Sequence, residues 1–298
     1  MISLDNPLIL QFLREEKLPQ NFVSTIQNFY LPLVQHLINL CEKSGLPLIV
    51  GINGAQGTGK STLSNLITLI MEQQHLRCAN LSLDDFYLGR AERAELARRS
   101  HPLFTTRGVP GTHNLELAIR LLDQLGDPRS KGLVKLPRFD KSLDEPLPDQ
   151  LWSTVELPVN VVILEGWFVG ATAQYAAELD TPINALEAEH DPDGSWRRQV
   201  NENLNAYQSL FSRLNLLIML QAPSFECVYK WRSLQEQKLA TRAGTAGTRV
   251  MDPDKLQRFI QHFERLTRHC LSSLPSKADL IFHLDEHHQI THQTDRLQ

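Results

Sequence analysis

Apolar positions follow two periodicities along this chain of 298 residues. Phe22, Ile26, Tyr30, Leu33, Leu37 and Leu40 recur at three- and four-residue spacing, one face of a helical stretch that Gly45 and Pro47 bring to an end. That face has two surfaces open to it, the core of its own domain or a second subunit in a homodimer. Residues 48–52 are a short apolar run rich in β-branched side chains, the pattern of a buried parallel strand. A glycine-rich turn follows, then a helix over 60–73 and a strand over 78–83. A helix is predicted at 115–125 with Asn114 as its N-cap. Further strands are predicted at 133–136, 159–164 and 214–220, helices from about 225 to 239 and from 256 to 271, and a last strand at 280–284.

Strands that alternate with helices predict an α/β fold, a doubly wound and mostly parallel sheet covered on both faces. The division expected is a helical N-terminal extension over 1–45 and one main domain over 46–298. Segments 86–113, 137–157 and 170–200 break the rhythm with many Pro, Gly, His and Asp residues, as excursions that build substrate pockets or lids do.

Composition narrows the classes. A net charge of -4 disfavours nucleic acid as a partner, because that binding rests on clustered Lys and Arg. No apolar run approaches the roughly 20 residues that span a bilayer, and the N-terminus lacks a basic start followed by an apolar stretch. A cytoplasmic setting without membrane attachment is the expectation. Cys41, Cys78, Cys227 and Cys270 are far apart, so neither a zinc site nor a redox dithiol is suggested, and Cys78 and Cys227 read as core residues. The His-rich tail at 283–292 reads as a solvated end.

The chemistry begins with Gly54-Ala55-Gln56-Gly57-Thr58-Gly59-Lys60-Ser61, which fits G-x-x-x-x-G-K-[ST]. Glycines let the backbone wrap with its N–H groups turned inward as a nest for phosphate oxygens. Lys60 can reach the β- and γ-phosphates of ATP, the Ser61 hydroxyl can ligate Mg²⁺, and Thr62 continues the helix N-terminus beside them. The surroundings select among proteins with this loop. Ser276-Lys277-Ala278-Asp279 starts with the wrong residue for a guanine-binding N/T-K-x-D and precedes its strand, and no L-S-G-G-Q-like signature occurs.

The second strand instead ends in Leu83-Asp84-Asp85-Phe86-Tyr87, where a carboxylate can face the γ-phosphate and take a proton from an attacking hydroxyl. An Asp pair there also serves as a cap or turn. Residues 161–164 deliver Glu165-Gly166, a Walker-B arrangement with Glu in place of Asp, able to hold Mg²⁺ directly or through water.

These residues resemble the uridine kinase, phosphoribulokinase and pantothenate kinase group, and within it plant-type D-glycerate 3-kinase and its relatives. The resemblance spans about 49–284 and rests further on Thr106-Arg107-Gly108-Val109-Pro110-Gly111-Thr112-His113, Leu136-Pro137-Arg138-Phe139-Asp140-Lys141-Ser142 and Trp231-Arg232-Ser233-Leu234-Gln235-Glu236. It implies a P-loop kinase with ATP and Mg²⁺ as cofactors and a small hydroxyl compound, D-glycerate first, as acceptor. It aligns Asp84 with the catalytic base and puts Arg107, His113, Lys135 and Arg138 at the acceptor, with Tyr87 beside them. It also implies a mobile lid over about 225–252, where Arg232 would stabilise the transferring phosphoryl group, Lys238 and Arg242 are further candidates, and the run 243–248 would act as hinge or tip. A nucleoside, pantothenate or a sugar phosphate are alternative acceptors, and an ATP-binding regulatory protein without turnover is an alternative class. The runs at 184–187 and 191–197 share the resemblance without a role, with Asp193-Gly194 read as a turn.

Overall fold

A computed structural model describes residues 7–243 and 253–297. Its strands are β1 (Leu48–Gly54), β2 (Cys78–Ser82), β3 (Gly132–Leu136), β4 (Phe139–Asp140), β5 (Glu145–Pro146), β6 (Ser153–Leu157), β7 (Val161–Gly166), β8 (Leu216–Gln221), β9 (Leu280–Leu284) and β10 (Ile290–Asp295). The main sheet has the order β10-β9-β8-β1-β7-β2, and only the β10–β9 pair is antiparallel. Every residue of β1 and β7 is buried, which is why both read as unbroken apolar runs. Strand order reverses at β1, so a ligand crevice opens beyond the carboxyl ends of β1 and β7.

The helices are α1 (Pro7–Glu15), α2 (Phe22–Thr25), α3 (Leu31–Ser44), α4 (Lys60–Gln73), α5 (Arg90–Arg99), α6 (Leu115–Gly126), α7 (Ala185–His190), α8 (Ser195–Phe211), α9 (Phe225–Ala243) and α10 (Pro253–Ser273). The N-terminal helical stretch is real but segmented, with a π-turn at Ile26–Tyr30 between α2 and α3. Gly45, in the left-handed region, ends α3 and returns its N–H to the Cys41 carbonyl. The apolar face of this stretch belongs to the chain's own core, where Ile26, Tyr30, Leu33 and Leu37 pack with Leu63, Leu66 and Ile70 of α4. A second core on the other face of the sheet joins α6, α8 and α10 to β2 and β7.

Three expectations change. The strand at 133–136 forms, but it pairs with β6 in a separate antiparallel ribbon, outside the main sheet. The tail contains a sixth strand of the main sheet, β10, so 280–284 is not the last strand; His283 and His292 stack across β9 and β10 with ring centres 4.0 Å apart. Segment 170–200 leads into a 17-residue helix, α8, whose buried Trp196, Val200, Leu204, Tyr207 and Phe211 recur at helical spacing. The four cysteines are buried free thiols. Among the described residues no helix is long and apolar enough to cross a membrane.

Candidate active site

The phosphate loop leaves β1 at Gly54 and enters α4 at Lys60. Gly57 and Gly59 have φ of 86° and 91°, a conformation that L side chains rarely adopt, and this folds the loop over the start of the helix. Thr58 is buried inside the turn and donates its hydroxyl to the Ala55 carbonyl at 2.8 Å. The unmatched N–H groups of the first turn of α4 therefore open into a cleft of about 290 Å³, with Gln56, Gly57, Lys60 and Ser61 on its wall. Thr62 sits behind Ser61 on the same turn.

Glu165 arrives from β7, the neighbour of β1, in register with Ile52. Ser61 Oγ donates to its Oε1 at 3.0 Å, and Lys60 Nζ lies 3.9 Å from Oε2. Oε2 is buried and accepts no hydrogen bond. A buried carboxylate oxygen left in that state is unfavourable, by about 1–3 kcal/mol or more. A hydroxyl and a carboxylate oxygen converging beside a phosphate nest fit Mg²⁺, which takes one or two protein oxygens and completes its shell with water and phosphate.

The opposite wall is built on the 3₁₀ turn Leu83–Phe86, capped by Ser82 and Asp85, which exchange hydrogen bonds with the turn's backbone. Asp84 projects into the cleft. Tyr87 Oη donates to its Oδ1 at 2.6 Å and Lys141 Nζ to its Oδ2 at 2.6 Å. Burial alone would raise the pKa of Asp84, but the charges of Lys141 and Lys60 and the two hydrogen bonds outweigh it and hold the group at about 2. Burial, then the Asp84 charge, pushes the Tyr87 hydroxyl well above its ordinary value, so it stays a donor.

The run from Arg107 to His113 is pinned on three sides. Trp167, just past β7, donates its indole N–H to the Gly108 carbonyl at 3.1 Å. The Thr112 hydroxyl donates to Val109 and accepts from the Gly108 N–H, and Asn203 of α8 donates to the Pro110 carbonyl. Arg107 reaches the cleft with its guanidinium paired to Asp144 and lying 5.6 Å over the Phe139 ring. Buried Arg93 takes the other oxygen of Asp144 at 2.6 Å.

Not every acceptor candidate reaches the cleft. Arg138 is committed to Asp85 at 3.2 Å and to backbone carbonyls, bracing the turn that presents Asp84. Lys135 is exposed on the β3–β6 ribbon and does not line the cleft. His113 is buried behind Tyr87, its ring centre 4.8 Å away, with Nδ1 2.7 Å from the Tyr207 hydroxyl and Nε2 without a hydrogen bond. Burial depresses its pKa to about 3 against the opposing pull of Asp84, so the ring is neutral. Arg232 of α9 lines the cleft. The side chains of Lys238 and Arg242 and the run 244–248 lie outside the described residues.

Lys141 and Asp144, from the β4–β5 turn, and Phe259 and Phe263, from α10, complete the cleft region without having been singled out from sequence. Only Lys141, inside the Pro-Arg-Phe-Asp-Lys-Ser run, carried a signal. The runs without a role turn out to hold α10. Asn184 caps α7 and donates to the Gln261 carbonyl, Glu187 pairs with Arg265 at 2.6 Å, and buried Arg197 pairs with Asp191 at 2.9 Å at the start of α8. His262 of α10 is buried among them, its Nδ1 2.9 Å from the Arg258 carbonyl.

A phosphate nest at the switch point of a parallel sheet, a carboxylate at each of two strand ends and a helix lining the cleft define a P-loop phosphotransferase. Comparison with known proteins agrees. The chain is 30% identical over 261 residues to the uncharacterized kinase mug58 of Schizosaccharomyces pombe, covering 83% of this chain and 91% of that one. It is 31% identical over 227 residues to the chloroplastic D-glycerate 3-kinase of Arabidopsis thaliana, covering 73% of this chain and 46% of that longer protein. A solved D-glycerate 3-kinase from Cryptococcus neoformans superposes with a TM-score of 0.73 at 23% identity, over 89% of this chain and 98% of that one, a likeness of fold. No family model matches the chain. The chain belongs to the family of P-loop kinases related to D-glycerate 3-kinase, and is a kinase with an ATP-binding P-loop.

Proposed function

We propose that this kinase transfers the γ-phosphoryl group of Mg·ATP to the primary hydroxyl of D-glycerate, giving 3-phosphoglycerate. The observation that carries the reading is the placement of Asp84, with Lys141 on one oxygen and Arg107 nearby, in the same cleft as Lys60 and Ser61. A carboxylate base flanked by cations suits a small acceptor that brings both a hydroxyl and a negative charge. The named activity of the plant relative supports the same acceptor.

In this mechanism the loop 54–61 holds the phosphates, and Lys60 with Arg232 offsets charge on the transferring group. Mg²⁺ held by Ser61 and Glu165 would screen the β- and γ-phosphate oxygens from one another. The acceptor oxygen attacks in line, its proton passes to Asp84, and the bond from phosphorus to the bridging oxygen breaks with its electron pair leaving on ADP. Phe259 and Phe263 keep that side of the cleft apolar and exclude competing water.

The test follows ADP release with Mg·ATP and a panel of D-glycerate, L-glycerate, uridine, pantothenate and ribulose 5-phosphate. Turnover confined to D-glycerate is the expected result. Turnover on uridine with none on D-glycerate would replace the acceptor.

A further inference from the structure

The cations first in line for an acceptor carboxylate are engaged or distant. Arg138 is on Asp85, Arg107 is on Asp144, and Lys135 is outside the cleft. Lys141 differs from them. Its side chain is 60% exposed, it lines the cleft, and its ammonium lies on the very carboxylate that must receive the acceptor's hydroxyl proton.

Both oxygens of Asp84 are taken, Oδ1 by Tyr87 and Oδ2 by Lys141. Each oxygen keeps a second lone pair, but an acceptor hydroxyl has the freer approach to whichever oxygen gives up its present donor. Tyr87 is held fast: it is buried and its ring is packed between His113 at 4.8 Å and Phe139 at 5.2 Å. Lys141 is an exposed point charge on a flexible four-carbon stem, with freedom to change partner. We propose that Lys141 is the carboxylate subsite of the acceptor: an anionic acceptor draws the ammonium off Asp84 onto its own carboxylate, and so vacates Oδ2 for the hydroxyl that is phosphorylated. In glycerate only two carbons separate the carboxylate from the primary hydroxyl, so both reach partners that touch each other in the cleft.

The exchange also strengthens the base. The groups facing Asp84 are Lys141, Lys60 and Tyr87, with Asp85, Arg107, Glu165 and His113 beyond them, and Lys141 exerts the largest opposing charge. Once the acceptor carboxylate neutralises it, Asp84 holds a proton more readily. The proton leaving the acceptor hydroxyl then goes to Oδ2 as the oxygen–phosphorus bond forms and ADP departs. An uncharged acceptor gains neither effect. This inference rests on the proposed reading in needing a carboxylate acceptor, though not D-glycerate in particular.

The experiment compares kcat/KM for D-glycerate and its uncharged amide, D-glyceramide, in the wild type, K141M and K141R. The wild type should prefer the acid about 10- to 100-fold, the span of one charge-assisted hydrogen bond. K141M should bring that preference near unity by raising KM for the acid, with KM for ATP unchanged, and K141R should retain most of it. A preference unaltered in K141M, with both acceptors slowed alike, overturns the inference and leaves Lys141 as a group that merely orients Asp84. Wild-type turnover on pantothenate but not D-glycerate, with the preference for pantothenate over pantothenol lost in K141M, removes D-glycerate and upholds the subsite. Wild-type silence on every carboxylate acceptor overturns both.

Discussion

Ser61 Oγ donates to Glu165 Oε1 across 3.0 Å, joining the first turn of α4 to the end of β7. The contact leaves Glu165 Oε2 buried and without a hydrogen bond, a cost that a cation held by the proposed pair would relieve. Glu165→Gln replaces that oxygen or its partner with an amide and removes the charge. The Mg²⁺ concentration giving half-maximal rate should rise roughly 10- to 100-fold, the usual effect of disturbing a metal's ligand environment. A magnesium titration of turnover with the same midpoint in both proteins would remove Glu165 from the metal site.

Asp84→Asn should lower kcat by roughly 10²- to 10⁴-fold, the usual contribution of a positioned base, while ATP affinity is kept. Because the folded pKa of Asp84 is depressed to about 2, the base is ionised throughout the neutral range. Wild-type kcat/KM should therefore show no acidic limb from this group above about pH 4. The same depression stabilises the fold above the unfolded pKa of about 3.9, and this is lost as pH falls through about 2. Unchanged kcat in the variant would refute the assignment.

His113 and His262 carry a pH signature of the same sign, but in a higher pH window. Burial lowers their pKa values to about 3 and about 4, so the unfolded chain binds their protons first as pH falls below about 6.5. Stability then falls with pH, at up to about 1.4 kcal/mol per unit for each ring. From pH 7 to pH 5 the two together should remove on the order of 3–4 kcal/mol, read by urea unfolding. His262→Gln should flatten that slope by about half. Equal unfolding free energies at the two pH values would show that these rings do not set acid stability.

Gly108 has φ of +118°, and a Cβ there would stand 2.5 Å from Cε1 of Phe263. Gly108→Ala meets both backbone strain and overpacking, together about 2–5 kcal/mol. A lower denaturant midpoint is expected, with reduced activity because Arg107 and Phe263 share the cleft wall. An unshifted midpoint would mean that the Arg107–His113 run can relax without penalty.

The legible parts of the molecule were those whose chemistry is local. β1 and β7 announce themselves because strands buried on both faces need uninterrupted apolar side chains, and the phosphate loop because its glycines and Lys60 act through adjacent backbone. The acceptor wall is assembled by pairing across distant segments, which no spacing encodes. Arg138 reads as a ligand cation until Asp85 is seen beside it, and Lys141 stands in its motif without a role until its contact with Asp84, 57 residues away, is seen. Segment 170–200 was opaque for the same reason: Glu187 and Asn184 act on α10 through Arg265, Gln261 and Glu264. Helix α8, by contrast, carried its periodicity openly at Trp196, Val200, Leu204, Tyr207 and Phe211.

Three cations of the cleft region face carboxylates of the same chain: Lys60 with Glu165, Lys141 with Asp84, and Arg107 with Asp144. The site thus supplies its own counterions. Charge is nearly balanced among these pairs, so they exert little long-range pull on passing anions such as chloride or free phosphate. By the exchange proposed for Lys141, an anionic acceptor changes partners at contact distance, where dissolved salt screens weakly. Their affinity should accordingly change little with ionic strength, and discrimination should come from the geometry of the exchange.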